Sequence, residues 1–397
     1  MTWNGSVRER ERIEDHASPP IVDSAEAAAP VARGIGAAMK ILVATGGPAL
    51  PQMMGGSQRT SDGIIRGLTG RGNDVQLLAA CAGGGWIGLR SRVLFRLTGK
   101  KAVSDKTLGY RAWRAWFPWE AVPEVVNRTK PDVALVLAHK PTRMAKALRQ
   151  AGVPVLLALQ DVEFRDEDED FGSLSALPGV ANSQFTADTY RARFNIESRV
   201  IHPLVDPERY RVEPDGSFVT FINPDPRKGL EIAAAVAAAC PEIPFLFVDS
   251  WPLEPAHRQA LARRFEELGN VTYSPAVSDM REIYRQTRIM LVPSIWEEGY
   301  GRVATEAQIS GIPVIGSSRG GLPEAIGPGG IILDAGQPAD DWASAVRELW
   351  LSPEKYAQLS ESARAHSMRP AMVNENQIRL WEESLHDAAR QSPFPVR

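Results

Sequence analysis

The chain has 397 residues, 44% of them apolar and 23% charged, with a formal net charge of -3. That length exceeds what one hydrophobic core usually supports, so two domains are expected. The composition is that of an ordinary folded soluble protein, with no apolar run long enough to span a bilayer, and the slightly acidic total gives no overall electrostatic footprint for nucleic acid.

The N-terminal stretch carries Arg8, Arg10 and Arg12 among Glu9, Glu11 and Glu14 and has no apolar core, so no secretory signal is expected there. Residues 1–38, rich in Ala, Pro, Ser and charge, are expected to form a disordered extension, and Met39 is itself a candidate translation start. From Lys40 the run Ile41-Leu42-Val43-Ala44 predicts a buried parallel strand, closed by Gly46-Gly47-Pro48. Ser57 to Arg71 follows with Ile64, Ile65 and Leu68 at helical spacing, and Asp74 to Ala79 predicts a second strand. The rhythm returns at Asp132 to Leu137, in a helix through Met144 to Leu148, and at Pro154 to Leu159. Such alternation implies a parallel sheet covered on both faces.

A proline-rich polar stretch from His202 to Gly216 reads as an interdomain linker. A second series then begins, with strands at Phe218–Ile222, Phe245–Val248, Ile289–Val292 and Ile312–Ile315 and a helix from Lys228 to Ala239. Two doubly wound α/β domains in tandem are therefore expected, with ligands bound outside the carboxyl ends of their strands, in the cleft between them. Cys81 and Cys240 lie in apolar stretches without metal-ligand spacing and read as small buried hydrophobes, which fits a reducing cytoplasm.

The most informative stretch is Pro293-Ser294-Ile295-Trp296-Glu297-Glu298-Gly299-Tyr300-Gly301, running on to Glu306-Ala307, with seven residues between Glu298 and Glu306. Gly311-Ile312-Pro313-Val314-Ile315 and Gly320-Gly321-Leu322-Pro323-Glu324 follow. This pattern resembles the E-x7-E signature of family 4 glycosyltransferases, retaining enzymes of the GT-B fold with two Rossmann-like domains facing across a cleft. The likeness extends through most of residues 39–335 and is most specific over residues 291–326.

The resemblance implies an acceptor-side domain over residues 39–205, a nucleotide-sugar-binding domain over 206–373, and a C-terminal helix and tail over 374–397 that crosses back to the first domain. It sets Glu298 against hydroxyls of the transferred sugar and Glu306 against the ribose, tasks suited to carboxylates that accept hydrogen bonds. Gly299, Tyr300 and Gly301 stand at a helix N-terminus, a setting that favours an anionic diphosphate. Lys228, in Pro226-Arg227-Lys228-Gly229, matches the family lysine that neutralises the leaving diphosphate. Asn223 stands where the family carries arginine, and Arg227 is then an alternative cation at that end. In the first domain, Gly55 and Gly56 occupy the family's glycine loop, and His139 matches its histidine near the donor sugar. The bland alternatives are a solvated loop carboxylate and a helix-start glutamate, an exposed lysine, a Gly-Gly turn and a structural histidine. Gln160-Asp161 follows the next strand, where relatives often carry another histidine.

The expected partners are a UDP-, GDP- or dTDP-sugar and a glycan or lipid-linked acceptor, with no nucleic acid, no cofactor and no metal. An acidic run at Asp166-Glu167-Asp168-Glu169-Asp170 contains a D-x-D pattern but reads better as a solvated loop. Between Trp86 and Trp119 basic residues (Arg90, Arg92, Arg96, Lys100, Lys101, Lys106, Arg111, Arg114) interleave with Leu89, Val93, Leu94, Phe95, Leu97, Trp113, Trp116 and Phe117. Either residues 86–119 rest peripherally on an anionic membrane, at its cytoplasmic face, or they are helices whose cations snorkel around ordinary core aromatics. The competing functions are a nucleotide-sugar epimerase on the same fold and a non-catalytic nucleotide-sugar-binding or scaffolding relative, the latter suggested by Asn223.

Overall fold

The computed structural model describes residues 38–391 apart from Ala138, residues 165–169 and residues 251–252. The expected extension up to residue 37 and the acidic residues 166–169 therefore lie outside the described residues.

The first apolar run forms β1 (Lys40–Pro48), and its loop enters α1 (Gly56–Gly70), whose Ile64, Ile65 and Leu68 are fully buried. There follow β2 (Asp74–Ala80), α2 (Gly85–Thr98), β3 (Val103–Asp105), β4 (Ala112–Ala115), α3 (Pro118–Thr129) and β5 (Val133–Val136). Then come α4 (Pro141–Gln150), β6 (Val155–Leu159), β7 (Gly179–Ala181), α5 (Gln184–Phe194) and β8 (Ser198–Val200). These strands make an eight-stranded sheet in the order β3-β4-β2-β1-β5-β6-β7-β8, parallel except where β3 runs against β4. Apolar side chains from alternate strand positions fill two cores, one on each face, as a sheet covered by helices on both sides requires.

The second domain runs β9 (Phe218–Ile222), α6 (Leu230–Ala239), β10 (Phe245–Val248), α7 (Pro255–Glu266), β11 (Val271–Ser274), α8 (Arg281–Gln286) and β12 (Thr287–Val292). It continues with α9 (Arg302–Gln308), β13 (Val314–Ser317), α10 (Leu322–Ile326), β14 (Gly330–Leu333), α11 (Ala339–Leu351) and α12 (Pro353–Ser367). Its sheet has the order β11-β10-β9-β12-β13-β14 with every pair parallel. Strand order reverses between β1 and β5 in the first sheet and between β9 and β12 in the second. At those two places the loops leave the sheet in opposite directions and open a crevice.

The last helix, α13 (Asn374–Gln391), does not stay with the second domain. Ile378, Trp381 and Leu385 are buried in the first domain's core beside Ile64 and Leu68. Glu382 accepts from Asn73 Nδ2 and Arg71 Nε, both at 2.7 Å.

Two local expectations are corrected. Lys228 does not begin a long helix: Gly229 takes φ +86°, which stops the short 3-10 turn Pro226–Lys228 before α6 starts at Leu230. Residues 86–119 are not one surface patch either. Trp113 and Arg114 lie in β4 inside the sheet, where Arg114 is wholly buried, pairs with Asp105 at 3.1 Å and donates to the Leu50 carbonyl at 2.8 Å. A buried guanidinium persists only with partners of this kind.

Candidate active site

The two switch points face each other across a cleft of about 790 Å³. Its second-domain wall is built from the loops that follow β9 and β12. These loops are knitted by backbone bonds from Ile295 and Trp296 N–H to the Arg227 carbonyl, at 3.1 and 3.3 Å. Gly229 is required at the crossing, because a side chain there would run into the Pro293 carbonyl. The consequence is that Lys228 and Glu298 meet: Nζ lies 2.7 Å from Oε1, and the Ser294 hydroxyl donates to the same oxygen at 2.7 Å. Both side chains are mostly buried, and the ammonium lies 5.3 Å from the centre of the Trp296 ring. Removing either charge would leave the other poorly solvated at the cleft wall.

Glu306, on α9, is fixed at both carboxylate oxygens. Tyr284 Oη donates to Oε2 at 3.0 Å, and Arg302 approaches Oε1 at 3.2 Å. Burial and the nearby Glu306 carboxylate push the Tyr284 hydroxyl well above its ordinary pKa, so it stays a hydrogen-bond donor. Arg302 also crosses the cleft, donating to Thr60 Oγ1 at 2.9 Å and to the Leu204 carbonyl at 2.7 Å.

The other expected second-domain contacts divide. Asn223 lines the cleft in a left-handed conformation, φ +68°, which a short polar side chain tolerates better than most. Arg227 turns aside: it pairs with Asp225 at 3.0 Å and stacks over Trp296, and it is not among the residues lining the cleft. Tyr300 reaches the cleft, but its ring is 2% exposed and stacks on His202, and its hydroxyl accepts from Thr305 at 3.2 Å, so its side chain serves the interior. Gly301, at φ +95°, ends the loop and starts α9.

The first-domain wall is set by backbone geometry. Gly55, Gly56 and Ser57 line the cleft at the start of α1, and the Ser57 hydroxyl donates to Gln160 Oε1 at 2.6 Å. His139 lies just after β5 at φ +68°, its carbonyl accepting from Gly46 N–H at 2.9 Å while its ring lies against Gly47. It does not line the wide cleft. It stands between two adjoining hollows, one shared with Ser57, Asp62 and Tyr110 and one of about 210 Å³ shared with Gln160 and Asp161. Gln160 and Asp161 border that second hollow and the cleft alike, and burial pushes the Asp161 carboxyl up from the ordinary carboxylate range.

The sequence reading did not single out Ser294, Tyr284 or Arg302. Arg302 had a local signal, since it precedes Glu306 by four residues and so shares its helix face. Tyr284 had none, because its bond to Glu306 joins two separate helices.

Two Rossmann-like domains meeting at their switch points, with the last helix returning to the first, define the GT-B class. Residues 218–366, most of the second domain, match the model of glycosyl transferases group 1. D-inositol 3-phosphate glycosyltransferase of Corynebacterium kroppenstedtii is 36% identical over 117 residues, 29% of this chain and 25% of that protein. The protein of the same name from Segniliparus rotundus is 31% identical over 217 residues, 48% of each chain. The chain thus spans from a quarter to about half of the length of these curated relatives. Among solved structures, a glycosyltransferase from Rickettsia africae superposes with a TM-score of 0.70 at 14% identity, covering 89% of this chain and 99% of its own. HepE from Anabaena, in complex with UDP, gives 0.69 at 19% identity, covering 88% and 100%. At such identities these two establish the fold.

Proposed function

We propose that the protein is a retaining, metal-independent glycosyltransferase that moves a hexosyl group from a nucleoside diphosphate sugar to a hydroxyl of a glycan or glycolipid acceptor, in the assembly of a cell-surface polysaccharide or glycoconjugate. The observation that carries this reading is the Lys228–Glu298–Ser294 cluster at the second switch point, with Glu306 further along the same cleft. In the proposed reaction the bond from the anomeric carbon to the diphosphate oxygen breaks as the acceptor oxygen bonds to that carbon from the same face. The acceptor proton passes to the leaving phosphate oxygen. Negative charge grows on the diphosphate, and a preset cation beside it, Lys228, stabilises that charge more than it stabilises the bound donor. Glu298, held by Lys228 and Ser294, orients the sugar through its hydroxyls and takes no covalent part. Glu306 accepts from the ribose. The name shared by the curated relatives and the UDP bound in HepE support a nucleotide-sugar donor.

The acceptor side is proposed to work at the cytoplasmic face of an anionic membrane. On α2, Trp86, Leu89, Val93 and Leu97 fall on one helix face and are all exposed, Trp86 and Leu97 at 76%. Arg92, Arg96 and Lys100 are exposed beside them, and Phe117 adds a further exposed ring. Among the described residues no helix is long and apolar enough to cross a membrane. An amphipathic helix with its apolar face outward and cations at its flanks suits insertion into the headgroup layer.

Two experiments test these readings. A thermal-shift screen against UDP, GDP and dTDP and their hexose conjugates should raise the melting temperature with one nucleotide only, by mass action. No response to any of the three would refute the donor site. Cosedimentation with phosphatidylglycerol vesicles, but not with phosphatidylcholine vesicles, should be lost in a Trp86→Ser, Leu97→Ser variant; equal binding by variant and parent would refute the membrane face.

A further inference from the structure

The donor loop is held from both sides of the cleft. From its own domain, Gly321 N–H donates to the Glu298 carbonyl at 2.7 Å. From the opposite domain, Ser183 Oγ donates to the next carbonyl, that of Gly299, at 2.5 Å, and Thr186 Oγ1 donates to the same oxygen at 3.1 Å. Both hydroxyl residues are fully buried. Ser183 caps α5, accepting from Thr186 N–H at 3.0 Å, so the two hydroxyls are fixed by the helix start and aimed across the interface.

A second contact joins the same helix to the second domain. Gln184 N–H, one of the amides that a helix start leaves without an internal partner, donates to Glu324 Oε2 at 2.7 Å. Glu324 lies on α10, directly after the Gly320-Gly321 turn that holds the Glu298 carbonyl. The approach is close: a side chain at Gly299 would come within 2.5 Å of the Gln160 carbonyl, which Asn182 Nδ2 already engages at 2.7 Å. Carboxylates and hydroxyls buried at an interface without such partners would carry a desolvation cost, so these bonds form together when the domains meet.

We infer that Ser183 and Thr186 are positioning residues for Glu298, and that with Glu324 they form a latch through which domain closure sets the donor loop. This rests on the proposed transfer reaction, because only there does the placement of Glu298 govern a rate. Open domains would leave the Gly299 carbonyl without its partners across the cleft. Closure would then both exclude water and complete the site.

The test uses the full chain with Ser183→Ala, Thr186→Val, the pair combined, and Thr186→Ser as the conservative control. Hydrogen exchange across residues 297–303 should rise in Ser183→Ala and Thr186→Val and remain at the parent level in Thr186→Ser, with β9 to β13 unchanged. Hexose transfer should lose roughly tenfold in kcat for each hydroxyl removed, while the Kd for the free nucleotide diphosphate, which lacks the sugar, moves less than about twofold. Unchanged exchange in the loop, or a kcat unchanged while only the melting temperature falls, would overturn the latch. If the parent protein transfers no hexose from any UDP, GDP or dTDP conjugate, the transferase reading fails, and the exchange measurement still decides whether the latch exists.

Discussion

The two walls of the cleft are built by different means. The second-domain wall is an assembly of side chains that hold one another: Lys228, Glu298 and Ser294 form one cluster, and Glu306, Tyr284 and Arg302 another. The first-domain wall presents the Gly55-Gly56 turn at the start of α1, and behind it His139, in the adjoining hollows, is held by its carbonyl to Gly46 and packed on Gly47. A wall of mutually satisfied charges is ready before any ligand arrives, and a reaction that develops charge gains most from such preorganisation. The first-domain wall, where the proposed acceptor would sit, takes its shape from a glycine turn and the main chain around it. The charged wall should therefore govern rate and donor binding, and the backbone wall should govern fit.

The sharpest test of this division is Glu298→Ala. It should lower hexose transfer by about 10²–10³-fold while leaving the Kd for the nucleoside diphosphate within a few fold, if the carboxylate acts on the sugar as proposed. Steady-state kinetics beside calorimetry would read both. Glu306→Ala should show the reverse pattern, weakening nucleotide binding by roughly tenfold or more through loss of charge-assisted hydrogen bonds, with kcat at saturating donor little changed. If the two variants gave the same pattern, the cluster would not be divided between sugar and ribose.

The backbone wall should respond to crowding. A methyl group at Gly47 would lie 2.7 Å from the His139 ring, so Gly47→Ala must push the ring away. Overpacking of this kind costs about 1–3 kcal/mol. The expected result is a lower melting temperature and a raised KM for acceptor, with the nucleotide Kd untouched.

What the sequence disclosed follows the same division. Glu298 and Glu306 were legible because a strand, a small-residue loop and a helix set them at short, fixed spacing, and Lys228, seventy residues earlier, was legible only through the resemblance, within residues 218–366 that carry the family pattern. The central strands β1, β2, β5, β6 and β9 were legible from continuous apolar runs. Strands β7 and β8 were not, since three residues hold too little periodicity, and β4 was not, because the buried Arg114 made it look like surface. The inward turn of Tyr300, the diversion of Arg227 to Asp225, and the bonds of Ser183 and Thr186 to Gly299 all depend on contacts across loops or domains, which no local pattern encodes.

The last expected effect, absent at neutral pH, concerns the seam between the walls. His202 follows β8, stacks on Tyr300 at 5.2 Å between ring centres, and lies 3.6 Å from Glu324; its carbonyl accepts from Gln377 at 3.0 Å. Burial, with Arg369 and His366 nearby, lowers its pKa from 6.5 to about 4. A histidine that takes up its proton less readily when folded leaves the unfolded chain holding more protons, so stability is unaffected above about pH 6.5 and falls as the pH drops from there toward 4. The full loss from this side chain is on the order of 3 kcal/mol at the acid end. Burial also lowers His366, which adds to the loss, and raises Glu324, which opposes it as that carboxyl takes up a proton. The melting temperature of His202→Gln should therefore fall less steeply than that of the parent between pH 6.5 and 4. Parallel curves would mean that His202 becomes protonated in place, and that the seam between the two walls tolerates the charge.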